Sequence, residues 1–386
     1  MSNLSRLAQT YPASGIRRMF DLAASYDDVV NLCLGEPDFD TPVHVCEAAK
    51  AALDKGYTHY TPNAGLPALR DSISTKYARE YGLEYERENV VISTGAIEAI
   101  LLSLLAIVNP GDDVIVPDPA FPAYAGQLAL VGANSICVPV YEENDFRLQA
   151  TDIEKAITPS TRALLLNSPS NPLGAVLEEE DLEAIAAVAK RHNLMVISDE
   201  VYEKIIFDGK VHHSITQIEG MQERTVIING FSKTYAMTGW RLGYLLAPND
   251  IVTQMPKIQE SIVSCLPAFI QEAGLAALEG SNEPVNDMVK QYTHRRNILI
   301  DGLNAIPGIS CQKPSATFYA FPNIKAFGKT SVEFAEELLK EAGVVTVPGS
   351  AFGSMGEGYL RLSFANSDEN LKEAVRRIRA HVERVY

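Results

Sequence analysis

The sequence predicts an α/β fold: a large domain with a mostly parallel seven-stranded sheet covered by helices, plus a smaller α+β domain formed by the N- and C-terminal segments. Three observations predict it. Short β-branched apolar runs alternate with helical stretches through the middle of the chain, as they do when crossover helices join parallel strands. These runs lack the in/out alternation of a half-solvated sheet, so both faces must be covered. Beyond residue 277 the alternation stops, and a long helix, short strands and two amphipathic helices follow. With 386 residues, 46% of them hydrophobic, the chain can bury one large core and a smaller one. The expected division is an N-terminal arm and part of the small domain over 1–45, the large domain over 46–280, and the rest of the small domain, with a bridging helix, over 281–386.

In chain order, residues 15–24 set Ile16, Met19, Phe20 and Ala23 at helical spacing. A strand over 29–34 ends in the loop Gly35-Glu36-Pro37-Asp38, where the glycine lets a ligand approach the backbone. Pro42 opens a helix over 43–55, with Thr41 as its cap. A polar and aromatic stretch from Gly56 to Gly65 leads into a helix over 66–81. The strand 90–93 passes through Thr94-Gly95-Ala96 into an apolar helix over 97–108. Free N–H groups at such a junction can cradle an anion, although every α/β unit has one. Strands over 113–116, 135–140 and 162–167 follow, the last ending in Ser168-Pro169-Ser170-Asn171-Pro172. The helix 178–192 is acidic in its first turn and basic in its last, matching its dipole. The strand 194–198 ends in Asp199-Glu200-Val201-Tyr202, and the strands 225–228 and 242–246 complete the seven. A long helix over 283–305, strands over 317–322, 344–347 and 359–364, and helices over 331–342 and 368–384 make the remainder.

The chemistry gathers at the turn between the last two large-domain strands, Asn229-Gly230-Phe231-Ser232-Lys233-Thr234, with Arg241 following. The plain reading of Lys233 is a solvated loop lysine. Held in a partly apolar place, however, a lysine loses its proton easily and becomes a nucleophile for carbonyl carbon, so a Schiff base is its natural chemistry. An arginine is the natural partner for a phosphate, and an aldehyde bearing a phosphate is pyridoxal phosphate. Four strands end in capable residues: Thr94-Gly95, Asn171, Asp199 with Tyr202, and Lys233. If these strands are parallel, all four sets meet in one crevice beyond their carboxyl ends. Asp199 at a buried strand end needs a cation, or else serves as a cap or structural ion pair. Arg361, alone in an apolar strand, needs an anion, and a carboxylate suits it best.

Composition narrows the partners. The net charge of −16 opposes nucleic acid and anionic membranes. The first fifteen residues lack a signal-peptide core and no apolar run reaches spanning length, which predicts a cytoplasmic enzyme. Five scattered cysteines, without a C-x-x-C pair, suggest neither a disulfide frame nor a zinc site. His212-His213 reads as a solvated loop pair. Gly328-Lys329-Thr330 is no P-loop, because Asn323 stands where its first glycine belongs, and there is no G-x-G-x-x-G or G-x-S-x-G motif.

The motifs YTPNAG, NSPSNPLG, SDEVY, FSKTYAMTGWRLGY and YLRLSF occur in one order along nearly the whole chain. In this the chain resembles the pyridoxal-phosphate aminotransferases of fold type I, class I/II, the aspartate aminotransferase superfamily. The resemblance implies that Lys233 carries the cofactor and later moves a proton at the substrate Cα. It implies that Asp199 pairs with the ring nitrogen and that Tyr202 and Asn171 bond the ring hydroxyl. Arg241, Ser232 and the backbone at Gly95, Ala96 and Ile97 would hold the phosphate, joined by Tyr60 from a neighbouring subunit, so a homodimer with shared sites is implied. Phe121 and Val201 would enclose the ring. Arg361, with Gly35 and Asn171 nearby, would grip the substrate carboxylate. The prolines after Ser168 and Asn171 are expected to be cis. Two positions depart from the family pattern. Gly230 replaces a phosphate-binding serine, and Ile97 replaces the lysine of aspartate-preferring relatives. The latter argues against aspartate and for aromatic, neutral or acylated diaminopimelate-type donors. The opening PASGIRRMFD resembles members with aromatic or acylated diaminopimelate substrates, with Arg17 or Arg18 as candidate partners of a distal acid beside the simpler reading of solvated arginines. The expected reaction is ping-pong transamination between an L-amino acid and a 2-oxo acid. A carbon–sulfur β-lyase is the alternative within the fold, and a non-catalytic effector domain is the remote one, disfavoured by the negative charge and by the lack of a helix-turn-helix ahead of the match.

Overall fold

The computed structural model describes residues 3–11 and 15–386; Pro12, Ala13 and Ser14 of the opening motif lie outside the described residues. The central sheet has seven strands in the order Val90–Ser93, Gly243–Leu246, Thr225–Gly230, Met195–Asp199, Thr161–Asn167, Asp113–Asp118 and Asn134–Pro139. Gly243–Leu246 runs antiparallel to both its neighbours and the other six share one direction. Three adjoining strands are buried along their whole length, as their unbroken apolar runs require. Successive side chains still point to opposite faces. Val226 and Ile228 pack in the cluster of the helix Gly95–Ile107. Ile227, between them, faces the cluster of the helices Pro67–Tyr81 and Ala268–Glu279.

The chain's two ends meet. Val30–Asn31 pairs in parallel with Val344–Val345, and Val347–Pro348, Leu360–Ser363 and Tyr319–Ala320 form a small antiparallel sheet. The helices Glu283–Asn304 and Asp368–Val385 accompany them. The peptide bonds Ser168–Pro169 and Asn171–Pro172 are cis as expected, and Asp118–Pro119 is cis as well.

Several local expectations are corrected. Thr41 does not cap the helix Val43–Asp54. Its hydroxyl donates to the carbonyl of Ala236 at 2.7 Å and accepts from the Trp240 indole at 3.0 Å, so it ties the helix start to the Lys233 turn. His212 is no solvated loop residue. It is buried, with Nε2 3.0 Å from the Glu200 carboxylate. The strand expected over 317–322 shrinks to Tyr319–Ala320, and that over 344–347 splits in two. The helix expected over 331–342 is α-helical over Ser331–Glu337 and widens into a π turn over Leu338–Ala342. The helices Ala123–Val131, Ala150–Ala156 and Ala268–Glu279 were not anticipated. The first follows Pro117, Pro119 and Pro122, and that density of proline reads locally as loop.

Candidate active site

Because six strands run together, Thr94, Asn171, Asp199 and Lys233 all come to one end of the sheet. Asn171, Asp199 and Lys233 line a cavity of about 370 Å³ together with Gly35, Glu36, Phe121, Tyr124, Tyr202, Ser232, Arg241, Tyr319 and Arg361, whereas Thr94 does not reach its lining.

Lys233 sits in the turn that leaves the buried strand Thr225–Gly230. Its Nζ donates to the carbonyl of Gly35 at 2.6 Å and lies 5.9 Å and 5.8 Å from the centroids of Tyr202 and Phe318. Desolvation, with further push from the cations Arg361 and Arg241, brings its pKa down to about 8. Across the cavity Asp199 is buried at its strand end. Its Oδ2 accepts from Tyr124 at 2.7 Å and its Oδ1 from the Val201 N–H at 3.3 Å. Burial outweighs both bonds and lifts its pKa to about 6.

The helix Gly95–Ile107 begins with no side-chain cap, which leaves N–H groups of its first turn open. Gly95 has φ +74°, and a Cβ on it would come within 2.7 Å of Arg241 Nη2. Gly243 is as restricted, since its Cβ would lie 2.7 Å from the nitrogen of Ala96. Two glycines thus let a guanidinium and a helix N-terminus close on one spot, an arrangement that receives a phosphate. Arg241 itself is exposed, and donates to the Thr238 carbonyl at 2.9 Å.

Arg361 is buried without a carboxylate partner among the described residues. It donates to the carbonyl of Cys33 at 2.7 Å and to Asn171 Oδ1 at 3.4 Å, while Nε finds no partner. An unpaired buried guanidinium opening on a cavity is prepared for an anionic ligand. The Tyr202 hydroxyl is 2.9 Å from that of Tyr319. Phe121, Val201, Ala96, Ile97, Ser232 and Gly230 all line the same space. Tyr60 is not brought in; it stands 90% exposed on the surface. Arg17 and Arg18 also stay outside, paired with Asp21 and Glu336. Sequence reasoning missed Tyr124, Tyr319, Asn167, Glu36, Thr238 and Ile16. Tyr319 had a signal, being a phenol in an apolar run beside the arginine strand. Tyr124 was hidden with its helix.

This fold and these side chains are those of an enzyme site: an amine of lowered pKa, a buried guanidinium without a carboxylate partner among the described residues, and an open helix end beside a second guanidinium, suited to an anionic ligand. Residues 27–378 match the model of the family Aminotransferase class I and II, and the chain belongs to that family. It is 46% identical over 381 residues to the aromatic-amino-acid aminotransferase 2 of Thermococcus litoralis, covering 98% of this chain and 97% of that one. It is 48% identical over 368 residues to an aspartate aminotransferase of Pyrococcus abyssi, covering 95% and 94%. The crystal structure of an aromatic aminotransferase from Pyrococcus horikoshii superposes with a TM-score of 0.91 at 46% identity, covering 96% of this chain and 99% of that one. The chain is therefore an aminotransferase, and its family uses pyridoxal phosphate. The residues present fit that group. Among the described residues no cation bonds the buried Asp199, no anion meets Arg241 or the uncapped helix end, and an amine of lowered pKa lines the same cavity.

Proposed function

We propose that the chain transfers an amino group between an L-amino acid and a 2-oxo acid in two successive half-reactions, with aromatic or neutral donors preferred to aspartate and, because it too bears a second carboxylate, to an acylated diaminopimelate. One observation carries the preference. Ile16, Ile97, Ile100 and Phe121 give the cavity an apolar wall, and the cations among its described lining residues are Lys233, Arg241 and Arg361. Each of the three has a task, which leaves none in this chain for a second substrate carboxylate. The relatives bear both aromatic and aspartate names, so the preference is read from the wall itself.

Lys233 is the residue that would hold the cofactor, and its amine, of lowered pKa, would move the proton at the substrate Cα. Arg241, Ser232 and the backbone at Gly95, Ala96 and Ile97 hold the phosphate. Asp199 supplies the negative charge for a protonated ring nitrogen, and Tyr202 and Asn171 face the ring hydroxyl. Phe121 and Val201, which line the cavity, would enclose the ring. When bound, the cofactor's protonated ring draws electron density from the substrate Cα. Arg361 grips the α-carboxylate, with Asn171 and the Gly35 backbone beside it, and so orients the Cα bond that reacts. Tyr60, exposed on one subunit, reaches the phosphate of a second in a homodimer. Segments 1–45 and 281–386 form the small domain against 46–280.

The test is to load the purified protein with pyridoxal phosphate, add amino acids singly, and follow the visible spectrum together with 2-oxo acid formation. Conversion of the absorbing form with stoichiometric oxo acid, fastest for aromatic or neutral donors, is expected. Pyruvate and ammonia from a sulfur amino acid, with the spectrum unchanged, would replace transamination by lyase chemistry.

A further inference from the structure

Tyr319 lines the cavity, yet transamination as described gives it no task. It stands on a two-residue strand paired antiparallel with Leu360–Ser363, the strand that carries Arg361. Its hydroxyl meets that of Tyr202 at 2.9 Å, and the Arg361 Cζ lies 4.4 Å from its ring centroid. A Cβ at Gly35 would come within 2.8 Å of the same hydroxyl, so the neighbouring loop is shaped around it. The backbone leading to it is strained. Thr317 has φ +66°, which a β-branched residue rarely adopts. That conformation is held by the Thr317 N–H donating to the Ile205 carbonyl at 2.8 Å, while its Oγ1 accepts from the Tyr319 N–H at 3.3 Å.

A phenol has one proton to donate. Tyr202 can direct its proton into the cavity only if Tyr319 donates to Tyr202, and not the reverse. Burial raises both phenols and Arg361 lowers both, but the guanidinium lies over the Tyr319 ring and it is Tyr202 that is pushed well above its ordinary value, so Tyr319 is the more acidic partner and the better donor. We propose that Tyr319 is a positioning residue with two partners: its hydroxyl turns the Tyr202 proton toward the cofactor, and its ring supports the Arg361 guanidinium that receives the substrate. The inference rests on the reading of Tyr202 and Arg361 given above.

The experiment titrates the visible band of the pyridoxal-phosphate-loaded protein against pH in wild type, Tyr202→Phe, Tyr319→Phe and the double variant. A phenol bonded to the ring oxygen favours its deprotonated form, so losing that bond raises the midpoint. Tyr202→Phe is expected to raise it by about 1 unit, and Tyr319→Phe by about 0.5 unit, since it weakens the bond without removing it. The double variant should match Tyr202→Phe alone, because Tyr319 acts through Tyr202. A shift in Tyr202→Phe with none in Tyr319→Phe, or additive shifts, overturns the hydroxyl role of Tyr319. No shift in Tyr202→Phe instead overturns the assignment of Tyr202 and removes that role with it. For the ring, Tyr319→Leu should raise KM for the amino donor about tenfold over Tyr319→Phe with kcat within a few-fold. Equal KM values in the two variants overturn the support of Arg361. Thermal unfolding of each apoprotein confirms that the variants fold.

Discussion

The Tyr124 hydroxyl donates to Asp199 Oδ2 at 2.7 Å, and this neutral phenol, not a cation, is the nearest polar partner of a buried carboxylate. Tyr124 enters from the helix Ala123–Val131, and Asp199 from the end of a central strand. One hydroxyl keeps the acid in place without satisfying its charge. The site is thus folded around an electrostatic cost that a protonated ring can relieve.

That cost is measurable in the protein without cofactor. The pKa of Asp199 is raised from 3.8 to about 6. Between those values the folded state holds the proton more firmly than the unfolded chain, so stability falls as pH rises through that window. Above it the full cost stands, about 2 units or roughly 3 kcal/mol. Asp199→Asn keeps an acceptor for Tyr124 and carries no charge. The apoprotein variant should melt higher than wild type at pH 7.5 and level with it below pH 4. Its transamination kcat should drop at least about 100-fold. Equal melting at pH 7.5 would mean that the carboxylate is already compensated.

Lys233 gives a second pH signature. Its pKa is lowered from 10.5 to about 8, first by desolvation and next by Arg361. Between 8 and 10.5 the folded state binds less of the proton than the unfolded chain does, so this lysine's cost to stability is present at neutral pH and is relieved as pH rises through that window. Only the neutral amine attacks an aldehyde. The rate of pyridoxal phosphate uptake by the apoprotein should therefore rise about tenfold per pH unit up to about 8 and then level. Arg361→Gln removes a neighbouring cation and should move the plateau to higher pH. Stopped-flow absorbance reads both, and an unmoved plateau would show that Arg361 does not act on the amine.

Gly95→Ala tests the phosphate cradle. The substitution strains a residue at φ +74° and drives a methyl to 2.7 Å from Arg241 Nη2. Displacing a charged hydrogen-bond donor costs roughly 1.5–3 kcal/mol, so affinity for pyridoxal phosphate should fall about 10- to 100-fold. Pyridoxal, which lacks the phosphate, should bind the variant and wild type alike. Equal losses for both ligands would place the damage outside the cradle.

The fold was legible because its signals are local. The unbroken apolar runs at 225–228 and 242–246 become fully buried strands, and Lys233, Asp199, Asn171 and Arg361 each announce themselves as polar groups at the ends or in the middle of such runs. What escaped depends on pairing at a distance. Tyr124 and Tyr319 are ordinary aromatic residues in sequence. Their hydroxyls acquire meaning only when the fold brings them to Asp199, 75 residues on, and to Tyr202, 117 residues back. Thr41 looked like a cap because a threonine before a helix-opening proline usually is one. Trp240, 199 residues away, claims its hydroxyl instead.

Ile97 decides the last prediction. It occupies the first turn of the helix Gly95–Ile107, where its carbonyl accepts from Gln127 Nε2 at 2.7 Å, so the backbone there is fixed. Its side chain is 40% exposed and faces the cavity. A lysine at this point keeps enough solvent contact to stay charged. Its ammonium is opposed by the helix N-terminus and by Arg241, which limits the gain. A substrate carboxylate entering the cavity would still find a partner that the isoleucine denies it. A charge-assisted bond of about 1.5–3 kcal/mol corresponds to roughly 10- to 100-fold in rate, so Ile97→Lys should raise kcat/KM for aspartate by that factor. For phenylalanine kcat/KM should fall several-fold, because an ammonium replaces apolar surface against the ring. Ile97→Leu, which keeps the wall apolar, should leave the ratio near that of wild type. Competition between the two donors for one oxo acid measures the ratio directly. If Ile97→Lys leaves it unchanged, the distal carboxylate is met by some other surface, and the place to seek it is the second subunit of the proposed homodimer, whose exposed Tyr60 is proposed to reach the site.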